Sequence, residues 1–128
     1  MAINYKLVAK VNPLNRDLPA KYYAKAIIDK SISLKKLARE LAARSTTASE
    51  GDVYSVLIGM RDLMKEHLER SDKVIIDGIG SFQASLSSEG AETEEMFNQS
   101  LIKKAKILYQ EDSEMKNFTG SLKYTKIK

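Results

Sequence analysis

Residues 3–11 alternate, with Ile3, Tyr5, Leu7, Ala9 and Val11 on one side and mostly polar groups on the other. That period of two predicts a half-buried strand. Asn12, Pro13 and Pro19 bracket a polar turn, and residues 22–28 are rich in strand formers, so a second strand is expected there, paired with the first. From Ser33 the period lengthens. Leu34, Leu37, Ala38, Leu41 and Ala42 recur at helical spacing, which predicts an amphipathic helix ending near Ser45, with Ser33 as its N-cap. After a turn of small polar residues, Ser45-Thr46-Thr47-Ala48, the spacing of Ser49 and Asp52 matches a capping box, and Glu50 suits the positive end of a helix dipole. The helix that starts there runs to about Arg70 with a stripe of Val53, Val56, Leu57, Met60, Leu63, Met64 and Leu68. Tyr54 and Ile58 lie off that stripe, so the helix is apolar on more than one side near its start, and a dimer partner is the simplest cover.

Residues 73–86 hold Val74-Ile75-Ile76, then Asp77-Gly78-Ile79-Gly80, then Phe82, Ala84 and Leu86 alternating with Gln83 and Ser85, the pattern of a β-hairpin. Two glycines around one apolar residue permit positive φ and close backbone approach at its turn. Residues 87–100 are acidic and polar, and Thr93 followed by Glu94 and Glu95 predicts a short helix with Thr93 as N-cap. Residues 103–109 alternate again. Residues 113–118 allow one helical turn that Gly120 stops, and residues 122–127 read as a last strand.

At 128 residues, 43% apolar, the chain fits one ordinary domain. The absence of Cys excludes disulfides, thiolate zinc sites and cysteine nucleophiles, and a single His67 leaves no histidine cluster for a metal or a relay. His67 is expected as a packed or partly exposed helix residue. No apolar run approaches the ~20 residues that span a bilayer, and the N-terminus lacks a secretory apolar core, so a cytoplasmic protein without a membrane partner is expected. Gly78-Ile79-Gly80 lacks the third glycine and the following helix of a nucleotide-binding fingerprint. The carboxylates lie mainly on solvent faces without a partner base, so no enzyme activity, cofactor, metal or small-molecule substrate is expected.

Charge is segregated along the chain. Residues 1–48 carry ten Lys/Arg against three Asp/Glu, residues 49–101 four against eleven, and residues 102–128 seven against three. A basic surface assembled from the two ends is the footprint of a polyanion partner. Lys35 and Lys36 stand in the first turn of the first helix, where the dipole disfavours cations by roughly 0.3–1 kcal/mol each; a docked phosphate would reverse that sign.

The order of helix, small polar turn, long helix, then Lys73-Val74-Ile75-Ile76-Asp77-Gly78-Ile79-Gly80-Ser81-Phe82 resembles the HU/IHF bacterial histone-like superfamily, in a longer HU-like variant with extra N-terminal strands. The resemblance covers residues 33–86 well and residues 102–120 loosely. It implies an α+β, IHF-like DNA-binding fold: a helix pair packed under an antiparallel β-sheet, here with added N-terminal strands, in one domain divided into a strand extension (1–30) and an HU-like body (31–128). It also implies a homodimer that binds duplex DNA by backbone and shape, as a nucleoid-associated architectural protein. By position, Gly78, Gly80 and Ser81 would lie at the family's phosphate-contacting turn. The family's basic, proline-tipped arm corresponds to residues 87–101, which hold Glu89, Glu92, Glu94 and Glu95 and no Lys, Arg or Pro. Intercalation is therefore not expected at that tip, and DNA contact rests on Lys103, Lys104 and Lys106, helped by Lys73. The rival is an HU-like dimeric protein-interaction module that has lost DNA binding, its acidic segment docking a basic partner or covering its own sheet.

Overall fold

The computed structural model describes residues 2–44 and 47–127. They form β1 (Ala2–Lys10), β2 (Lys21–Ala26), α1 (Leu34–Arg44), α2 (Glu50–Glu69), β3 (Val74–Ile76), β4 (Gly80–Ser88), β5 (Ile102–Glu111), α3 (Ser113–Gly120) and β6 (Lys123–Lys126). The chain divides into two compact units, residues 1–33 with 118–128, and residues 34–117, so the boundary falls inside α3.

The first unit is a three-stranded sheet in the order β2-β1-β6. The expected pairing of the first two strands is present and antiparallel, with Tyr5 opposite Ala26 and Lys10 opposite Lys21. The last strand joins the same sheet, parallel to β1, with Ile3 opposite Tyr124. Both ladders continue one bond further, from Ile27 N–H to the Asn4 carbonyl and from Ile127 N–H to the Tyr5 carbonyl, each 2.8 Å. Because side chains alternate, this register sends most apolar and most cationic side chains to opposite faces, with Lys126 beside Tyr5 on the apolar side and Val8 beside Tyr23 on the cationic side. One face gathers Ile3, Tyr5, Leu7, Ala24, Ala26 and Tyr124 around an open recess of about 580 Å³. The opposite face carries Lys6, Lys10, Lys21, Lys25 and Lys123.

In the second unit α1 packs on α2 through Ala38, the one buried hydrophobic side chain among the described residues. An exposed Arg39 Nε–Glu50 Oε1 pair at 3.3 Å links the two helices. The end of the first helix expected near Ser45, and the start of the turn that follows, lie outside the described residues. Ser49 caps α2 as its spacing predicts, its hydroxyl accepting from Asp52 N–H at 3.1 Å. At the other end Ser71 turns the chain out through positive φ (68°), and Asp72 N–H donates to the His67 carbonyl. Asp72 also meets His67 Nδ1 at 2.8 Å, so the lone histidine belongs to a helix terminus.

The second sheet runs β3-β4-β5, antiparallel throughout. Val74 lies opposite Phe82 and Phe82 opposite Tyr109; on this face Val74, Ile76 and Phe82 are half-buried, and α2 packs on β3 and β4. The other face is polar, built from Ser81, Gln83, Ser85, Ser87, Lys104, Lys106 and Gln110 with Ile75 and Leu108 among them.

The short helix expected from Thr93 is absent. Thr93 instead caps a single turn, its hydroxyl and carbonyl both accepting from Met96 N–H at 3.2 Å, and a 3-10 turn follows at Gln99–Leu101. Met96 and Phe97 are adjacent in sequence and both exposed, so a helix there would have no continuous apolar stripe to bury. Helix α3 runs to eight residues rather than the one turn expected. Its N-cap is Asp112, whose Oδ1 accepts from Met115 N–H at 2.9 Å.

Candidate nucleic-acid interface

Strand alternation on β5 places Lys104 and Lys106 on the polar face of the second sheet, opposite Ser87 and Ser85 on β4. The two lysines and the two serines border one small recess of about 220 Å³. Neither lysine forms an ion pair among the described residues, and the paired positions of this face hold no carboxylate. A patch of this kind attracts phosphate by charge and offers hydroxyl donors beside it.

Lys103 behaves differently. The register shifts between Ser87 and Ser88, so β5 carries an extra residue at Lys103, and its ammonium lies 3.8 Å from Glu89 Oε1. This exposed pair sits at the root of the acidic loop, closed by the 2.8 Å bond from Glu89 N–H to the Leu101 carbonyl.

The glycine turn lies at the far end of the same hairpin, its Gly80 row seven ladder rows and roughly 23 Å from the Lys104 row. Gly78 has φ +85°, and its N–H donates to Asp112 Oδ2 at 2.7 Å. The amide that the resemblance would offer to a phosphate is thus held by a carboxylate of the chain itself. Gly80 is buried with φ +150°; a Cβ there would overlap the Gln110 carbonyl oxygen and the Tyr109 ring, so the position admits only glycine for reasons of packing. Ser81 is half-buried on the polar face opposite Gln110.

Sequence reasoning missed the two residues that lock this turn. Asp112 joins the turn to α3 through one carboxylate. Tyr109 donates from its hydroxyl to the Ile79 carbonyl at 2.7 Å and stacks on Phe82 with ring centroids 5.1 Å apart. Desolvation, then the charges of Glu111 and Asp112, hold the Tyr109 hydroxyl above its ordinary pKa, which keeps it a donor. The aspartate followed by a helix start was a legible cap signal; its second bond, 34 residues back, was not.

The remaining expected contacts are dispersed. Lys73 is exposed just ahead of β3. Lys36 reaches Glu40 at 3.9 Å, and Lys35 borders a shallow recess with Glu50, Gly51 and Tyr54, so carboxylates already accompany the first turn of α1.

A long helix pair set against a three-stranded antiparallel sheet, with a glycine-locked hairpin and a polar outer face, defines an HU-like α+β fold. The chain belongs to the HU-HIG family, described as an HU domain fused to a wHTH, Ig or glycine-rich motif, whose model matches residues 1–126. Among solved structures, the chain is similar to a protein of Bacteroides vulgatus ATCC 8482 described as a candidate bacterial DNA-binding protein, with TM-score 0.71 and 10% identity over 98% of the chain. The chain spans 48% of that protein's length. It is also similar to HU of Anabaena, solved with DNA, with TM-score 0.53 and 14% identity, covering 70% of this chain and 99% of that one. No curated protein matches the chain. No helix among the described residues is long and apolar enough to cross a membrane.

Proposed function

We propose that this chain is a non-catalytic DNA-binding protein that acts as a homodimer, holds duplex DNA with little sequence preference, and serves as a nucleoid-associated architectural protein in the cytoplasm. The observation that carries the reading is the uncompensated Lys104/Lys106 pair on the polar face of the β3-β4-β5 sheet. Membership of an HU family and likeness to HU crystallised with DNA support the choice of DNA as the anion. Contacts of this type are made to phosphate and carry no base readout, which accounts for weak sequence preference.

Burial supports the homodimer. Leu37 and Leu41 on α1 remain 44% exposed, Val56 on α2 71%, and Leu86 and Ile107 on the helix-facing side of the sheet 61% and 54%. Apolar side chains left this open on four elements of one unit call for cover by a second protein surface, and a twofold copy offers the same surface in return. In one form of the rival reading, a protein-interaction module, the acidic loop covers the lysines of its own sheet. Among the described residues only Glu89 of that loop pairs with a lysine, and that lysine is Lys103.

Electrophoretic mobility shift with random-sequence duplex tests the reading. With about four to six phosphates neutralised per dimer, log affinity falls with log salt at a slope of roughly −4 to −5, and K104E/K106E weakens binding and flattens that slope. Absence of a shift at low salt, or an unchanged curve for the variant, would overturn it. Sedimentation equilibrium checks the dimer against the 14.4 kDa protomer mass.

A further inference from the structure

The register of the first sheet sets like charges against each other. On the face opposite the apolar recess, Lys6 lies directly across from Lys25 and Lys10 across from Lys21, while β6 brings Lys123 level with Ala2. Directly opposed side chains have Cβ atoms about 4.5–5.5 Å apart, and like charges in that position destabilise a sheet. The two lysine pairs stand roughly 13 Å apart along β1, four residues at about 3.3 Å each. Between them lies the row of Val8 and Tyr23, and Lys10 Nζ sits 5.6 Å from the Tyr23 ring centroid. None of the five lysines forms an ion pair among the described residues, and the paired positions of this face hold no carboxylate. At its end, the loop after β1 closes a recess of about 370 Å³ in which Lys10, Lys21 and Tyr23 meet Leu18 and Pro19.

We propose that this lysine face of the N-terminal sheet is a second nucleic-acid docking surface, one that seats the phosphate backbone of a duplex separately from the Lys104/Lys106 patch. Sheet stability alone would select against two opposed lysine pairs; phosphates bridging each pair turn the repulsion into attraction. The charges spread over three strands instead of converging on one point, which fits an extended polyanion better than a small anion. A bilayer surface is the poorer occupant, because insertion needs an apolar face beside the charge, and here most apolar side chains lie on the opposite side of the sheet. The choice of nucleic acid among polyanions rests on the DNA-binding reading above; the charge arrangement does not.

The test uses the full chain in four forms: wild type, K6Q/K10Q/K21Q/K25Q, K104Q/K106Q, and the two sets combined. Fluorescence anisotropy follows binding to a random-sequence duplex between about 50 and 200 mM salt. The quadruple variant is expected to lower the steepness of the log–log salt slope by roughly 2 to 4 and to bind at least about tenfold more weakly at the lowest salt. That loss should add to the loss from K104Q/K106Q in a chain that carries all six substitutions. Thermal melting followed by circular dichroism shows whether the fold is kept, and the milder K6Q/K25Q variant, expected to give about half the slope change, carries the test if the quadruple variant unfolds. A wild-type slope in a folded variant would overturn this surface and leave the general DNA-binding reading standing; no duplex binding by wild type would overturn both. Loss of binding to phosphatidylserine vesicles with an unchanged DNA curve would also overturn it, in favour of a membrane.

Discussion

Residues 1–33 and 118–128 carry nine Lys/Arg against two Asp, a net charge of +7, whereas residues 34–117 carry twelve against fifteen, a net charge of −3. The unit with the HU-like helix pair and hairpin is the acidic one, and the added sheet holds the excess cation. Architecture and charge have therefore separated. In residues 34–117 the basic patch is two lysines on one strand, and carboxylates elsewhere in the unit do structural work: Asp112 fixes a turn, Glu50 meets Arg39, Glu89 meets Lys103. In the N-terminal sheet the lysines form no ion pair among the described residues, and four of them stand opposed across β1 and β2. Net charge alone, a modest +4 for the chain, hides this division.

Three substitutions bear on the contrast between a unit locked by specific contacts and one left electrostatically open. The largest effect belongs to Gly80→Ala. A Cβ at a buried φ of +150° against backbone should destabilise residues 34–117 by about 3 kcal/mol or more, read by chemical denaturation. Hydrogen exchange on the same variant then tells whether β1 and β2 lose protection as well; equal loss in both units would break the contrast. Next comes Asp112→Ala, which removes the cap of α3 and strands the Gly78 amide, for about 1.5–3 kcal/mol. The substitution has no counterpart in the lysine-bearing sheet, where the paired positions of β1, β2 and β6 hold no carboxylate. Tyr109→Phe is smallest, a slight loss in the same denaturation measurement from the missing bond to the Ile79 carbonyl. It also has a pH signature. The folded state holds the Tyr109 proton more tightly than the unfolded chain, so the contribution is full below about pH 10 and is lost as pH rises through the raised folded value; the Phe variant should lack that alkaline decline.

Much of the fold was legible because the periods were strong. The alternation in residues 3–11, the helical stripe from Leu34 and the Ser49 cap each encode their element locally, and each is present. The place of β6 was not legible: a parallel partnership between residues 2–5 and 123–126 depends on the crossover between them, and no local pattern specifies it. The Thr93 segment shows the converse failure, a cap signal without an apolar stripe behind it. At the candidate interface, Lys104 and Lys106 share a face as alternation requires, while the bulge that sets Lys103 apart is a pairing irregularity with no signature in residue type. The lysine face was half visible, since Lys6 and Lys10 already alternate with apolar positions, but its opposition to Lys21 and Lys25 needed the register.

The parallel pairing of β1 with β6 also orders events during synthesis. While the ribosome works through the middle of the chain, β1 and β2 can form only a two-stranded ribbon, which is marginally stable in water. The helix pair and its hairpin have all their residues first, and the N-terminal sheet is finished only when residues 123–126 have emerged from the exit tunnel, so the lysine-bearing strands β1 and β2 gain their third partner after the helix pair and hairpin are already made.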